Sequence, residues 1–309
     1  MKKRRRVLIL AAAIVVGLLS ILLMPPQGLF TKALAPVICP GAVYAVDTPQ
    51  KMVALTLDDG PDLRLGEASS TRKMLEVLRL HNQKEPDFTA HATFFLLSNQ
   101  ISDRERLLGD RLDDTVVRIV AEGHEIGNHM AEDGPSILLG DRFSQAFETT
   151  HQQLTAYAQL PDSQYPQVRW FRPGVGWCDR AMADTVRQQA EYRSRDGFPN
   201  IALGSVWPYD TLLAWPTFSH WFIRHNIRPG SIIILHDGGS RGDRTAQILE
   251  GLLPELAKME YKVVPLAELL RNGNVVARSQ AFPKPVEAIR TSIVVGLEKL
   301  RLRFSDKEG

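Results

Sequence analysis

The stretch Met52-Val53-Ala54-Leu55-Thr56-Leu57-Asp58-Asp59-Gly60-Pro61 decides the fold. A short β-prone run is cut off by two adjacent carboxylates and a turn pair. Runs of the same kind recur at residues 91–97, 168–172, 201–206, 231–236 and 261–264, with a weaker one at 124–127. Helical spacing fills the intervals. Met74, Leu75 and Leu78 share one face, Val116, Val117 and Val120 another, and Phe143, Phe147 and Leu154 a third. Ile248, Leu249, Leu252, Leu253 and Leu256 form a fourth. Such alternation predicts an α/β protein with a mostly parallel sheet, either doubly wound or closed into a barrel. Run lengths do not choose between the two.

The chain has 309 residues, 44% hydrophobic and 23% charged, which excludes a disordered or fibrous protein. Its net charge of +2 hides an asymmetry, because Lys2, Lys3, Arg4, Arg5 and Arg6 outweigh a net negative remainder. Nucleic acid is therefore not expected as a partner. No GxxxxGK or GxGxxG pattern supports nucleotide use. Residues 7–24 carry no charge and, as a helix, match the hydrocarbon thickness of a bilayer. The basic head predicts a single-pass anchor with its N-terminus in the cytoplasm and the rest outside. The rival is a signal peptide cleaved near Ala33-Leu34-Ala35, which would leave a secreted or periplasmic protein. The expected divisions are a basic head and transmembrane anchor over 1–30, a linker over 31–50, a catalytic body over 51–273 and a helical tail over 274–309. In that tail Val286, Ile289, Ile293, Leu297, Leu300 and Phe304 form an apolar stripe with basic neighbours. It suits a helix packed on the body, or one lying on a membrane or a partner. Cys39 and Cys178 fit one disulfide or two unrelated thiols.

Four strand ends carry unusual polar residues, where loops of an α/β fold converge. Asp58 and Asp59 point in different directions, so that one could bind a metal and the other face substrate. A turn alone would also explain them. In Gly123-His124-Glu125-Ile126-Gly127-Asn128-His129 the last histidine stands four residues before Asp133, and one helical turn would aim both at a divalent ion. His124 reads as structural. Trp170-Phe171-Arg172-Pro173-Gly174-Val175-Gly176 offers an arginine in need of a carboxylate, and backbone N–H groups suited to an oxyanion. Ile232-Ile233-Ile234-Leu235-His236-Asp237 ends a buried strand on a candidate general acid or base. Gly238-Gly239-Ser240-Arg241-Gly242 matches a nucleophile elbow, but all eight histidines lie at or before His236, so a serine esterase is excluded.

Taken in order, Thr56-Leu57-Asp58-Asp59-Gly60-Pro61, the Gly-His-Glu-Ile-Gly-Asn-His run, Phe171-Arg172-Pro173 and Leu235-His236-Asp237 resemble the polysaccharide deacetylases of carbohydrate esterase family 4, the NodB-like domain. Ala92-Thr93-Phe94-Phe95-Leu96 resembles that family's second strand. The resemblance spans roughly residues 50–270 and implies a distorted (β/α) barrel, here with an N-terminal transmembrane helix. It implies a metal-dependent hydrolase that removes N-acetyl groups from an amino-sugar polymer or oligosaccharide and releases acetate. By that resemblance Asp58 is the general base, positioned by Arg172, and His236 the general acid, oriented by Asp210. The Val175 amide stabilises the oxyanion. Asp59, His129 and Asp133 hold one divalent ion, zinc first, with manganese, iron, nickel or cobalt as alternatives. Asp133 stands where the family usually has a second metal histidine, and Gly174-Val175 replaces its usual Pro-Tyr. The expected partners are an N-acetylated glycan and, through the first helix, a membrane. Two other readings stay open, a membrane-tethered glycan-binding module with an impaired site and a hydrolase of a non-sugar amide. Trp170, Trp177, Trp207, Trp215 and Trp221 favour a sugar modestly, since aromatic faces suit sugar rings.

Overall fold

The computed structural model describes residues 37–109, 114–161, 163–194, 196–276 and 284–305, together with Gly17. Its strands are β1 (Val46–Asp47), β2 (Met52–Gly60), β3 (Ala92–Leu96), β4 (Glu125–Asn128), β5 (Ile232–His236), β6 (Lys262–Val264) and β7 (Asn274–Val275). The helices are α1 (Ser70–Lys84), α2 (Ser98–Leu107), α3 (Asp114–Ala121), α4 (Phe143–Ala158) and α5 (Arg180–Gln188). They continue with α6 (Pro216–Asn226), α7 (Gly239–Lys258), α8 (Leu266–Arg271) and α9 (Lys284–Ser305).

All nine residues of β2 are buried, and it is the axis of the sheet. It pairs in parallel with β3 on one side and β5 on the other, β4 lies beyond β3, and β6 joins the first residues of β2. Single parallel bridges carry the sheet on from Asn128 to Phe171 and from Phe171 to Ile201, and Val206 bridges back to Ile233 of β5. The ring so closed is a distorted barrel. The runs at 168–172 and 201–206 thus contribute bridges rather than full strands. Pro173 supplies no ladder donor, and Gly204 lies so close to β5 that an added Cβ would meet Ile232 O at 3.0 Å.

Side chains of β2 alternate between two cores. Val53, Leu55 and Leu57 pack outward with Phe94 under the helices, where α1 gives Met74, Leu75 and Leu78 and α7 gives Leu249, Leu252 and Leu253. Met52 and Ala54 face a smaller cluster with Phe95, Trp170 and Ile232. The four helical faces read from spacing appear as α1, α3, α4 and α7. This alternation is the period of two expected of a pleated strand, here buried on both faces.

Part of the stretch expected to link anchor and body is packed into the body. Cys39, Val43 and Val46 are buried, and β1 pairs antiparallel with β7, which lies past the expected boundary at Gly273. Cys39 and Cys178 form a disulfide across 139 residues of sequence. The expected anchor at residues 7–24 lies outside the described residues apart from Gly17. Among the described residues no helix is long and apolar enough to cross a membrane.

Closing so long a loop constrains the unfolded chain strongly. Cys178→Ser should therefore lower the unfolding free energy by about 2–5 kcal/mol, read as a reduced Tm on heating. An unchanged Tm would show that the bridge adds nothing beyond the packing around it.

Candidate functional site

At the carboxyl end of β2 the pairing with β3 slips between Leu57 and Gly60, and Asp59 adopts a left-handed conformation with φ of 65°. A bulge of this kind re-aims side chains. Asp58 turns to Arg172 and Asp59 to His129, although both remain buried. On the other flank the register sets Asp58 opposite His236 of β5. Asp237 N donates to Asp58 O at 2.8 Å and locks the two strand ends together.

Arg172 is buried at the centre of the ring. It donates from Nη1 to Asp58 Oδ1 at 2.5 Å and to Thr56 Oγ1 at 2.8 Å, and from Nε to Ala202 O at 2.9 Å. Its guanidinium carbon lies 4.2 Å from the centre of the Phe95 ring, a cation–π contact. The arginine thus has the carboxylate that its burial requires.

His129 is fixed by the same residue. Its Nδ1–H donates to Arg172 O at 2.7 Å, which leaves the Nε2 lone pair facing Asp59 Oδ1 at 3.1 Å. Two acceptors so placed need a positive charge between them, either a proton on Nε2 or a metal ion. Burial opposes charge on the ring, but Asp58 and Asp59 outweigh it and raise the His129 pKa. Burial likewise works against an ionised Asp59, yet the hydrogen bond and charge of His129, with His236 and Arg241 behind, hold it down at about 2. A histidine whose Nδ1 is engaged by a backbone carbonyl beside an ionised carboxylate is a donor set that fits a divalent ion.

The third expected ligand is less closely held. Residues 129–133 do not form the helical turn inferred from spacing, because Met130 is left-handed, with φ of 73°. Asp133 is exposed at the wall of the same cavity, its pKa raised by burial and by the charge of Asp59. Among the described residues no group of three or more His, Cys, Asp or Glu side chains is drawn together tightly enough to hold an ion. Arg241 takes the other oxygen of Asp59, with Nη2 2.9 Å from Oδ2.

His236 is paired with Asp210, as the sequence suggested. The carboxylate accepts from His236 N at 2.9 Å and lies 3.0 Å from Nδ1. Burial disfavours the imidazolium, but Asp210, joined by Asp58 and Asp59, overrides it and pushes the pKa up to about 9. Val175 also sits where expected, at the cavity wall, with φ of 62°. That conformation is strained for a β-branched residue and is the kind of cost found at functional loops. Gly174 makes the turn possible, since an added Cβ would lie 1.9 Å from Gly134 O.

Asp58, Asp59, His129, Asp133, Arg172 and His236 all line one cavity of about 510 Å³, as do Asp210 and Val175. The tryptophans divide. Trp177 and Trp207 line the cavity, Trp170 belongs to the core, and Trp215 and Trp221 are exposed. His124 is structural, buried, and accepts from Ala92 N at 3.2 Å.

Sequence reasoning missed three things. Arg241 was read only as part of a false nucleophile elbow; its signal was its place in the first turn of α7, five residues past His236. Asp237 was passed over, although it accepts from the Ser70 and Thr71 hydroxyls and ties β5 to α1. Arg301 of α9 reaches the cavity wall, which no local pattern could announce.

Residues 45–193 match the family described as "Polysaccharide deacetylase". The chain is 27% identical over 231 residues to a peptidoglycan-N-acetylglucosamine deacetylase of Bacillus cereus, covering 74% of this chain and 92% of that one. It is 27% identical over 235 residues to a chitooligosaccharide deacetylase of Bradyrhizobium, covering 71% and 90%. Its fold is similar to that of a family 4 acetyl xylan esterase from Clostridium thermocellum in complex with a cobalt ion, with a TM-score of 0.55 at 24% identity over 72% of this chain and 91% of the other. The chain is thus similar in sequence to polysaccharide deacetylases over about half to three quarters of its length.

Arg241 places a cation on the carboxylate that a divalent ion would use, so the two compete. Arg241→Gln should raise the affinity of chelator-stripped protein for zinc severalfold, measured by calorimetric titration. A lower affinity would instead assign Arg241 to aligning Asp59.

Proposed function

We propose that the chain is a metal-dependent deacetylase that removes N-acetyl groups from the amino sugars of a cell-envelope polysaccharide and releases acetate. The observation that carries this reading is that three pairs, Arg172 with Asp58, Asp59 with His129 and Asp210 with His236, open into a single cavity. The peptidoglycan and chitooligosaccharide deacetylases among its relatives support an N-acetylglucosamine polymer as substrate. Trp177 and Trp207 offer aromatic faces to its rings.

Asp58 takes a proton from the attacking water, whose oxygen forms the new bond to the acetyl carbon. Arg172 keeps that carboxylate from turning away. The Val175 N–H donates to the oxyanion that develops on the carbonyl oxygen. His236 gives its proton to the sugar nitrogen as the C–N bond breaks, leaving acetate and a free amine. A divalent ion, zinc by first choice, held by Asp59 and His129 with Asp133 across the cavity, would supply Lewis-acid polarisation and a more acidic water.

The extracytoplasmic setting is part of the proposal. Residues 7–24 would tether the chain in the membrane with the basic head inside, and a disulfide suits an oxidising compartment. One observation favours a second reading, a glycan-binding module with an impaired site. Arg241 engages Asp59, and among the described residues the three donors are not gathered. That reading requires saturable glycan binding without acetate release, unaffected by His236→Ala.

Asp58→Asn should abolish acetate release from N-acetylglucosamine oligomers or peptidoglycan while bound metal is retained. Turnover that survives this change would remove Asp58 from the mechanism. The general acid must be protonated, so activity should fall as pH rises through about 9. Asp210→Asn removes the main charge holding that pKa up, and the alkaline limb of the kcat/KM profile should move to lower pH. A limb that stays in place would show that another group sets it.

A further inference from the structure

Helix α9 sits on the body through a face that mixes paired charges with Val294 and Val295. Glu287, Arg290, Val294 and Glu298 are buried against the protein. Arg290 pairs with Glu287 at 2.6 Å and donates to Val37 O at 2.8 Å and Cys178 O at 2.5 Å. Glu298 pairs with Arg301 at 2.7 Å. The apolar stripe faces out instead: Val286, Ile289, Ile293, Leu297 and Leu300 are each at least 47% exposed. The helix therefore packs on the body, one of the readings left open from sequence, but through a face other than the stripe.

The exposed charges of α9 have one sign among the described residues. Both of its acids are buried and paired, while Lys284, Lys299, Arg301 and Arg303 are exposed cations. Arg301 and Arg303 flank the stripe, where long side chains reach headgroups while the apolar residues sink below them. A second copy of the helix is a poor fit. Arg301 and Arg303, on either side of the stripe, would be set against like charges across the seam between two copies. The helix also lies where the chain enters the body, because Arg290 grips Val37 and Ile38. Only residues 25–36 separate that point from the apolar stretch at 7–24, a reach of at most about 40 Å.

We propose that α9 lies on the surface of an anionic lipid bilayer, with its apolar stripe at the boundary of headgroups and acyl chains and its cations on the lipid phosphates. This rests on the tethered reading above and goes beyond it, since α9 becomes a second contact that fixes orientation. Arg301 also lines the catalytic cavity, so the helix seated on lipid is part of the cavity wall.

The test uses the full chain with Ile293→Cys, whose thiol is free for an environment-sensitive fluorophore because Cys39 and Cys178 are bonded to each other. The labelled protein is reconstituted into phosphatidylcholine vesicles with and without phosphatidylglycerol. A blue shift and protection from iodide, greater with phosphatidylglycerol and diminished by Lys299→Glu with Arg303→Glu, are the expected result. A label that stays water-like and quenchable on chain that floats with the vesicles overturns the proposal and leaves the tether standing. Chain that does not float with vesicles at all overturns both. Protection that persists without vesicles and grows with protein concentration assigns the face to a second copy and overturns the lipid reading. Acetate release, assayed separately, reports on the deacetylase reading alone.

Discussion

The site depends on one buried cation. Arg172 enters from the loop side of the ring and touches Asp58, Thr56, the carbonyl of Ala202 and the face of Phe95. Its own carbonyl fixes the ring of His129. A guanidinium with that many partners cannot be removed cheaply, and breaking such a pair by truncating one member typically costs about 3–5 kcal/mol. Base, histidine and three strand segments therefore share a single anchor, and the placement of each constrains the rest.

Around that anchor the charges nearly cancel. Asp58, Asp59, Asp133 and Asp210 face Arg172, Arg241 and two histidines whose pKa values are raised. The contact of His129 Nε2 with Asp59 demands a positive charge, from a proton or from a divalent ion. An arriving divalent ion would displace that proton, so ion binding and proton release are coupled at one atom, Nε2. Arg241 adds a second competitor at the other oxygen of Asp59.

Much of this was legible in the sequence because the decisive residues terminate strands. The apolar runs of β2 and β5 set their own register, and that register alone puts Asp58 beside His236. Asp210, named only through the family resemblance, does lie against His236. What failed was reasoning from helical spacing outside a helix. His129 and Asp133 are four apart, but the left-handed Met130 breaks the turn that would have brought them together. The stripe of α9 was legible as a period but not as a direction, since nothing in a periodic pattern says which face meets protein. Arg241 and Arg301 were invisible because each reaches the cavity from a helix whose pattern speaks only of its apolar face.

The bridge between Cys39 and Cys178 has a mechanical meaning. Val37 and Ile38, where the continuous run of described residues opens, are clasped by Arg290, and the covalent link follows at the next residue. A pull on the chain ahead of Val37 is thus taken up by α9 and the sulfur bridge before it can reach β1 or β2. From Cys178 the load passes into the segment that begins at Arg172 and carries Val175. Tension on the leading chain would be felt at the wall of the cavity before it reached the strands of the barrel.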